Sequence, residues 1–262
     1  MAEAPTLDLV SIKMIGHVAE LEMHQPPNNF VSNELVADIG DALDWLDTQD
    51  DCRAIVLCAE GKHFCAGADF ANRGPDGVPV GGRRGKHLYK YAQRLWRTKK
   101  PIVCVVQGAA IGAGLGLALV GDFRVTCDEA RWSANFTRMN YHPGFGLTAT
   151  LPRLIGATKA SMLFYTGRRL TGTEAHAMGL ADILVPLEDV RTAAHALALE
   201  IAQSGPAAVQ ATRETMRRGL ADAVAAATER EFEEQDWLRQ TDDFKEGIKA
   251  MGARRLPNFT NR

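Results

Sequence analysis

The sequence predicts an α/β fold: central strands buried on both faces and paired in parallel, then a helical C-terminal region. Residues 54–59 (Ala-Ile-Val-Leu-Cys-Ala) and 102–106 (Ile-Val-Cys-Val-Val) are unbroken apolar runs, the pattern of a strand covered on both faces. Helical periodicity lies between such runs, and alternating strand and helix favours parallel pairing through right-handed crossovers. From Glu188 onward the pattern is helical, broken at residues 204–206 (Ser-Gly-Pro) and at Gly219. The chain accordingly divides into a core, 1–187, and a helical region, 188–262.

Taken in order, residues 7–23 read as two β segments about a turn at Gly16, with Val18, Glu20 and Glu22 alternating against apolar neighbours. Residues 25–29 (Gln-Pro-Pro-Asn-Asn) form a loop. Ser32 is placed to cap a helix whose apolar face is Leu35, Ile39, Leu43 and Leu46. Residues 71–85 hold five glycines and two prolines and admit no regular structure. So long a loop reads as a lid over a site, or else as a surface insertion. Residues 86–98 predict an amphipathic helix with Leu88, Tyr91, Leu95 and Trp96 inward, stopped by Pro101. Short strands follow at 123–126 and 131–133, then a turn at 141–146. Helices are predicted at 147–155, 158–166 and 173–178, and a last strand at 182–185.

Composition limits the functional classes. The net charge of −2 argues against a surface built for polyanions, so nucleic acid is not an expected partner. The five cysteines show no metal-ligand spacing, and no metal site is predicted. Cys58 and Cys104 lie inside apolar strands, where a thiol behaves as a small hydrophobe. An odd, scattered set suggests a reducing compartment. Neither a signal peptide, a transit peptide nor a run of membrane-spanning length is evident, so the expectation is a cytoplasmic protein with no membrane partner.

After the strand at 102–106 come Gly108, Gly112, Gly114 and Gly116, then an apolar helix. A glycine-rich entry to a helix exposes backbone N–H groups suited to an anion or a polarised carbonyl oxygen. The same glycines would also serve tight packing alone. A second motif follows the strand at 54–59: Phe-Cys-Ala-Gly-Ala-Asp, residues 64–69. Together with Gln-Gly-Ala-Ala-Ile-Gly-Ala-Gly-Leu-Gly at 107–116, it resembles the enoyl-CoA hydratase/isomerase (crotonase) superfamily. The resemblance extends from about residue 10 to about residue 260 and includes residues 166–180 and 241–259. It implies a crotonase-like spiral of repeated ββα units with a C-terminal trimerisation region, assembled as a homotrimer or hexamer.

The resemblance also implies an acyl-CoA thioester as substrate, with no further cofactor. Its carbonyl would be gripped by an oxyanion hole made from the N–H groups of Ala68 and Ala113. Substrate contacts would come from Pro26, Asn28, Ala66, Gly67, Asp69, Phe70, Ala109, Gly112, Phe136, Pro143 and Gly144. The hydratases of the family activate water with two glutamates, and those positions fall on Gly116 and Phe136. A third acid position used by some relatives falls on Gly144. None of the three residues can transfer a proton, which disfavours water addition. His142 beside Pro143 is the first candidate for a base, and His87 after the loop is the second. Both have an alternative reading, as a loop histidine binding a carbonyl and as part of a solvated helix face. With an aromatic ring at 136 and a glycine at 116, the acyl pocket is expected to be dry and roomy, fit for a bulky or aromatic acyl group. A non-catalytic acyl-CoA binding or assembly protein is the alternative. RNA binding would rest on Lys86, Lys90, Arg94, Arg97, Lys99 and Lys100 alone.

Overall fold

The computed structural model describes residues 4–69 and 87–261. The chain opens with β1 (Val10–Ile15), β2 (Val18–Met23), α1 (Asn33–Asp47) and β3 (Ala54–Ala59). After the undescribed stretch come α2 (Leu88–Leu95), β4 (Ile102–Val106), β5 (Ala109–Ile111) and α3 (Ala113–Ala118). Then follow β6 (Phe123–Thr126), β7 (Arg131–Ser133), a 3₁₀ turn at Asn135–Met139, α4 (Leu147–Ile155) and α5 (Ala157–Thr166). The remainder is β8 (Arg169–Thr171), α6 (Gly172–Met178), β9 (Ile183–Leu184), α7 (Val190–Ala202), α8 (Pro206–Met216), α9 (Leu220–Leu238) and α10 (Asp242–Gly252).

The main sheet runs β1-β2-β3-β4-β6-β9. Its first pair is antiparallel and all others are parallel, as the unbroken apolar runs predict. Every residue of β3 and β4 is buried. A second sheet, β5-β7-β8, lies beside it. The chain passes from β4 into β5 and then α3, and from β6 into β7 and then the 3₁₀ turn, which is the ββα repeat. Cys65 extends the pattern to the strand before, forming a parallel bridge to Ala110.

Most predicted elements stand within a residue or two. Ser32 caps α1 by accepting from Leu35 N at 3.1 Å, Thr171 and Glu174 form a capping box on α6, and Thr241 caps α10. The predicted inward face of α2 requires correction. Tyr89, Ala92 and Leu95 are its buried residues, whereas Leu88 and Tyr91 are half-exposed. The stripe is turned by about one residue because α2 packs on both α1 and α9, a second wall that periodicity alone does not locate. The core continues through the C-terminal helices: α7 packs on β3, β4 and β6, and Val190, Ala194, Val224 and Phe244 join the same apolar cluster.

Candidate active site

The two motifs meet backbone to backbone. Cys65 N donates to Ala109 O at 2.8 Å and Ile111 N donates to Cys65 O at 3.1 Å, which lays residues 64–68 along β5. Ala66 N donates to Asn28 O and Val31 N to Gly67 O, tying the loop at 25–29 to the same strip. The approach is too close for side chains. A Cβ at Gly114 would lie 2.1 Å from Cys65 O, and one at Gly67, which has φ of +95°, 2.8 Å from Ile111 O. The glycines thus perform the packing role, and that packing positions the two N–H groups.

Those N–H groups are uncommitted. Unlike α1, α6 and α10, α3 has no side-chain cap, because its N-cap is Gly112 at φ +55°. Among the described residues, no hydrogen bond within the protein uses Ala68 N or Ala113 N. Both alanines are half-buried and sit among buried neighbours. Two uncommitted backbone donors of this kind suit a carbonyl oxygen that gains negative charge. Phe136 is buried, and its ring lies 3.7 Å from where a Cβ on Gly112 would stand, against the start of α3.

The positions matched to acids are not empty space, which corrects the expectation of room near Gly116. A Cβ there would meet the Phe145 ring at 2.8 Å. Phe145 is fully buried, tilts against Trp96 with ring centroids 5.9 Å apart, and has φ of +62°. That conformation costs a bulky L residue about 1–3 kcal/mol. At Gly144 a Cβ would come within 1.9 Å of the Tyr89 hydroxyl oxygen. Tyr89 donates to Gln235 Oε1 at 2.7 Å, and Gln235 Nε2 donates to His142 O at 2.8 Å. Burial above all, with the nearby Glu231, pushes the Tyr89 phenol well above its ordinary pKa, so it stays protonated.

The two candidate bases both sit against α9. His142 is half-buried, and its Nδ1 lies 2.7 Å from Pro143 O. A carbonyl can only accept, so that nitrogen carries the proton and Nε2 is left as the acceptor. His87 is exposed at the N-cap of α2, accepts from Tyr89 N, and meets Phe232 edge-on at 4.4 Å between ring centroids. Pro143 and Gly144 are buried, Asn28 and Asp69 half-buried, and Pro26 exposed. Phe70 and the predicted lid, residues 71–85, lie outside the described residues.

Sequence reasoning missed the contribution of α9. Glu231 is wholly buried and caps α4 from outside: Oε2 accepts from Gly146 N at 2.8 Å, and Oε1 from Thr148 N and Oγ1 at 2.9 and 2.6 Å. No local pattern reveals a cap supplied 83 residues later. His63 is half-buried and accepts from Ala109 N at 3.2 Å. Burial, aided by Lys62, holds its pKa below the ordinary value and keeps that acceptor free. The Cys65 thiol is pushed up to about 12 by burial and is no nucleophile. Within the basic run, Lys90 pairs with Glu229, Arg94 with Asp41 and Asp44, and Arg97 with Asp222, while Lys86 lies outside the described residues. Lys100 is buried and donates to the carbonyls of Gln49 and Cys52.

A parallel sheet whose strands lead through a second small sheet into helices, with two interlocked glycine-shaped loops, defines the crotonase class of α/β proteins. The chain belongs to the enoyl-CoA hydratase/isomerase family, which its residues 14–262 match. It is 33% identical to a putative enoyl-CoA hydratase of Thermus thermophilus, over 93% of this chain and 98% of that one. It is 27% identical to the 1,2-epoxyphenylacetyl-CoA isomerase of Escherichia coli, over 94% and 95% respectively. The crystal structure of an enoyl-CoA hydratase/isomerase from Pseudoalteromonas atlantica superposes with a TM-score of 0.86 at 26% identity, covering 97% of this chain and all of the other. The protein is thus an acyl-CoA-acting enzyme of that family.

Proposed function

We propose that the enzyme holds an acyl-CoA thioester with its carbonyl oxygen between the N–H groups of Ala68 and Ala113. It then carries out isomerisation, C–C cleavage or thioester hydrolysis, through an enolate or tetrahedral intermediate, in preference to adding water. The observation that carries this reading is the pair of interlocked loops, each offering an uncommitted donor, beside acid positions taken up by aromatic groups. Donors fixed in place before the charge develops need no reorganisation when it does. Water addition needs one proton removed and one delivered, and Gly116, Phe136 and Gly144 supply neither. His142 is the proposed base, since its Nδ1–H is spent on Pro143 O and Nε2 can receive an α-proton. His87 is the reserve. Phe136 and Phe145 favour an apolar, aromatic acyl group, a reading that the likeness to the E. coli isomerase supports. We further propose assembly as a trimer or hexamer through the helices after Glu188. Met216 and Leu256, 71% and 75% exposed, are large apolar side chains that such contacts would cover.

Calorimetry against acetyl-CoA and free CoA, with a crotonyl-CoA hydration assay, tests the core of this proposal. The expected outcome is tighter binding of the thioester and no appreciable hydration. Equal affinity for both ligands would remove the oxyanion hole. Hydration within about tenfold of a median enzyme rate of about 10 per second would remove the preference against water addition. Binding without turnover across a panel of acyl-CoA thioesters would favour the non-catalytic alternative.

A further inference from the structure

Apart from the thioester site, the main sheet carries a second group of residues arranged for nucleophilic chemistry. Ser11 Oγ lies 2.7 Å from His24 Nε2, and His24 Nδ1 lies 3.0 Å from Glu60 Oε2. The three come from β1 and from the residues just after β2 and β3. Strand register puts them on one face. Ser11 pairs with Glu22, and Glu22 with Cys58. His24 and Glu60 follow Glu22 and Cys58 by two residues, the period that returns a side chain to the same side. The backbone is fixed there as well, since His24 N donates to Leu9 O and Glu60 N to Met23 O, both at 2.9 Å.

The hydrogen bonds allow one proton arrangement suited to catalysis. The carboxylate of Glu60 can only accept, so His24 carries its proton on Nδ1, and Nε2 accepts from the Ser11 hydroxyl. A carboxylate orients an imidazole, and the imidazole faces a serine. The neighbouring acids do not compete for this histidine, because Arg191 holds Glu22 and His195 holds Glu20. All three residues are exposed, so a reagent can reach the hydroxyl from solvent. β1 is the edge of the sheet. The alternation of antiparallel pairing, set by the His24–Leu9 bond, turns the N–H of Ile12 toward that open edge. It is a single candidate donor for an oxyanion, one residue after the serine.

We propose that Ser11, His24 and Glu60 form a second, solvent-facing nucleophile site that takes acyl groups from small activated esters. Ser11 Oγ bonds to the acyl carbon as His24 Nε2 receives the hydroxyl proton. The ester C–O bond then breaks, and the leaving oxygen takes that proton. Water, deprotonated by the same imidazole, releases the acid and restores the serine. Each missing oxyanion donor costs about a hundredfold to a thousandfold, so turnover is slow and the sharp signature is stoichiometric labelling.

The test is incubation with a fluorophosphonate, which forms the Ser–O–P bond with loss of fluoride and needs no turnover, followed by peptide mass mapping. The wild-type chain should gain one adduct, on Ser11. Ser11→Ala should gain none, and His24→Ala should react at least about a hundredfold more slowly. Glu60→Gln should slow labelling by a smaller factor. The substituted side chains are exposed, so unfolding temperatures should match wild type and confirm folded variants. No adduct on Ser11, or undiminished labelling of Ser11 in His24→Ala, would overturn the proposal.

Discussion

At the scale of single residues, the proposed active site is marked by positions where a side chain is missing or has been replaced. His142 is the clearest assignment to test. General-base catalysis contributes about a hundredfold to ten-thousandfold, so His142→Ala should lower kcat on a true substrate by that factor. Thioester affinity should be nearly unchanged, because the proposed carbonyl contacts are backbone groups. Wild-type kcat in the mutant would move the role to His87. Gly116 behaves differently. Restoring an acid there is not a matter of filling a hole, because the Phe145 ring already occupies the space. Gly116→Ala should lower stability by about 1–3 kcal/mol in a denaturant titration. Gly116→Glu with Phe136→Glu should gain no crotonyl-CoA hydration while Phe145 keeps its ring.

At the scale of elements, the telling contrast is between helices capped from their own sequence and helices that are not. α1, α6 and α10 are capped locally, and Ser32 made the start of α1 legible in the sequence. α3 has no cap and leaves its first N–H open. α4 has a cap that arrives from α9. Burial raises the Glu231 pKa against the pull of the donors from Thr148 and Gly146. A carboxyl whose pKa is higher folded than unfolded gives stability that is full below the unfolded value and is lost as pH rises through the folded one. The stability difference between wild type and Glu231→Gln should therefore shrink as pH rises above the ordinary glutamate range. A difference that grows with pH would contradict the sign. The parallel sheet and both motifs were readable because they are local: apolar runs, and glycines at fixed spacing. The Phe145 plug, the Tyr89–Gln235–His142 chain and the α9 cap were not readable, since each joins residues far apart in sequence. The same limit explains the turned face of α2, whose second wall is α9.

At the scale of the whole molecule, one apolar core runs from β1 to α10, with α7 packed on the main sheet, α9 on α2 and α4, and α10 on the 3₁₀ turn. Tyr165, Met216 and Leu256 are more than 70% exposed in the single chain. Light scattering should report a trimer or hexamer, and a concentration-independent monomer would refute assembly. The uncommitted donors at Ala68 and Ala113 have one more consequence, for how this enzyme can drift. A peptide N–H belongs to every residue except proline, so the replacement of either alanine by another small residue leaves the donor in place. The proposed carbonyl grip is invisible to most point mutations at these two positions, whereas the glycines that press the two loops together are not. In a saturation library the proposed site would show as a silhouette: tolerant at Ala68 and Ala113, intolerant at Gly67 and Gly114 just behind them. New reactions can then be explored by changing the surrounding side chains, without first dismantling the proposed grip on the carbonyl.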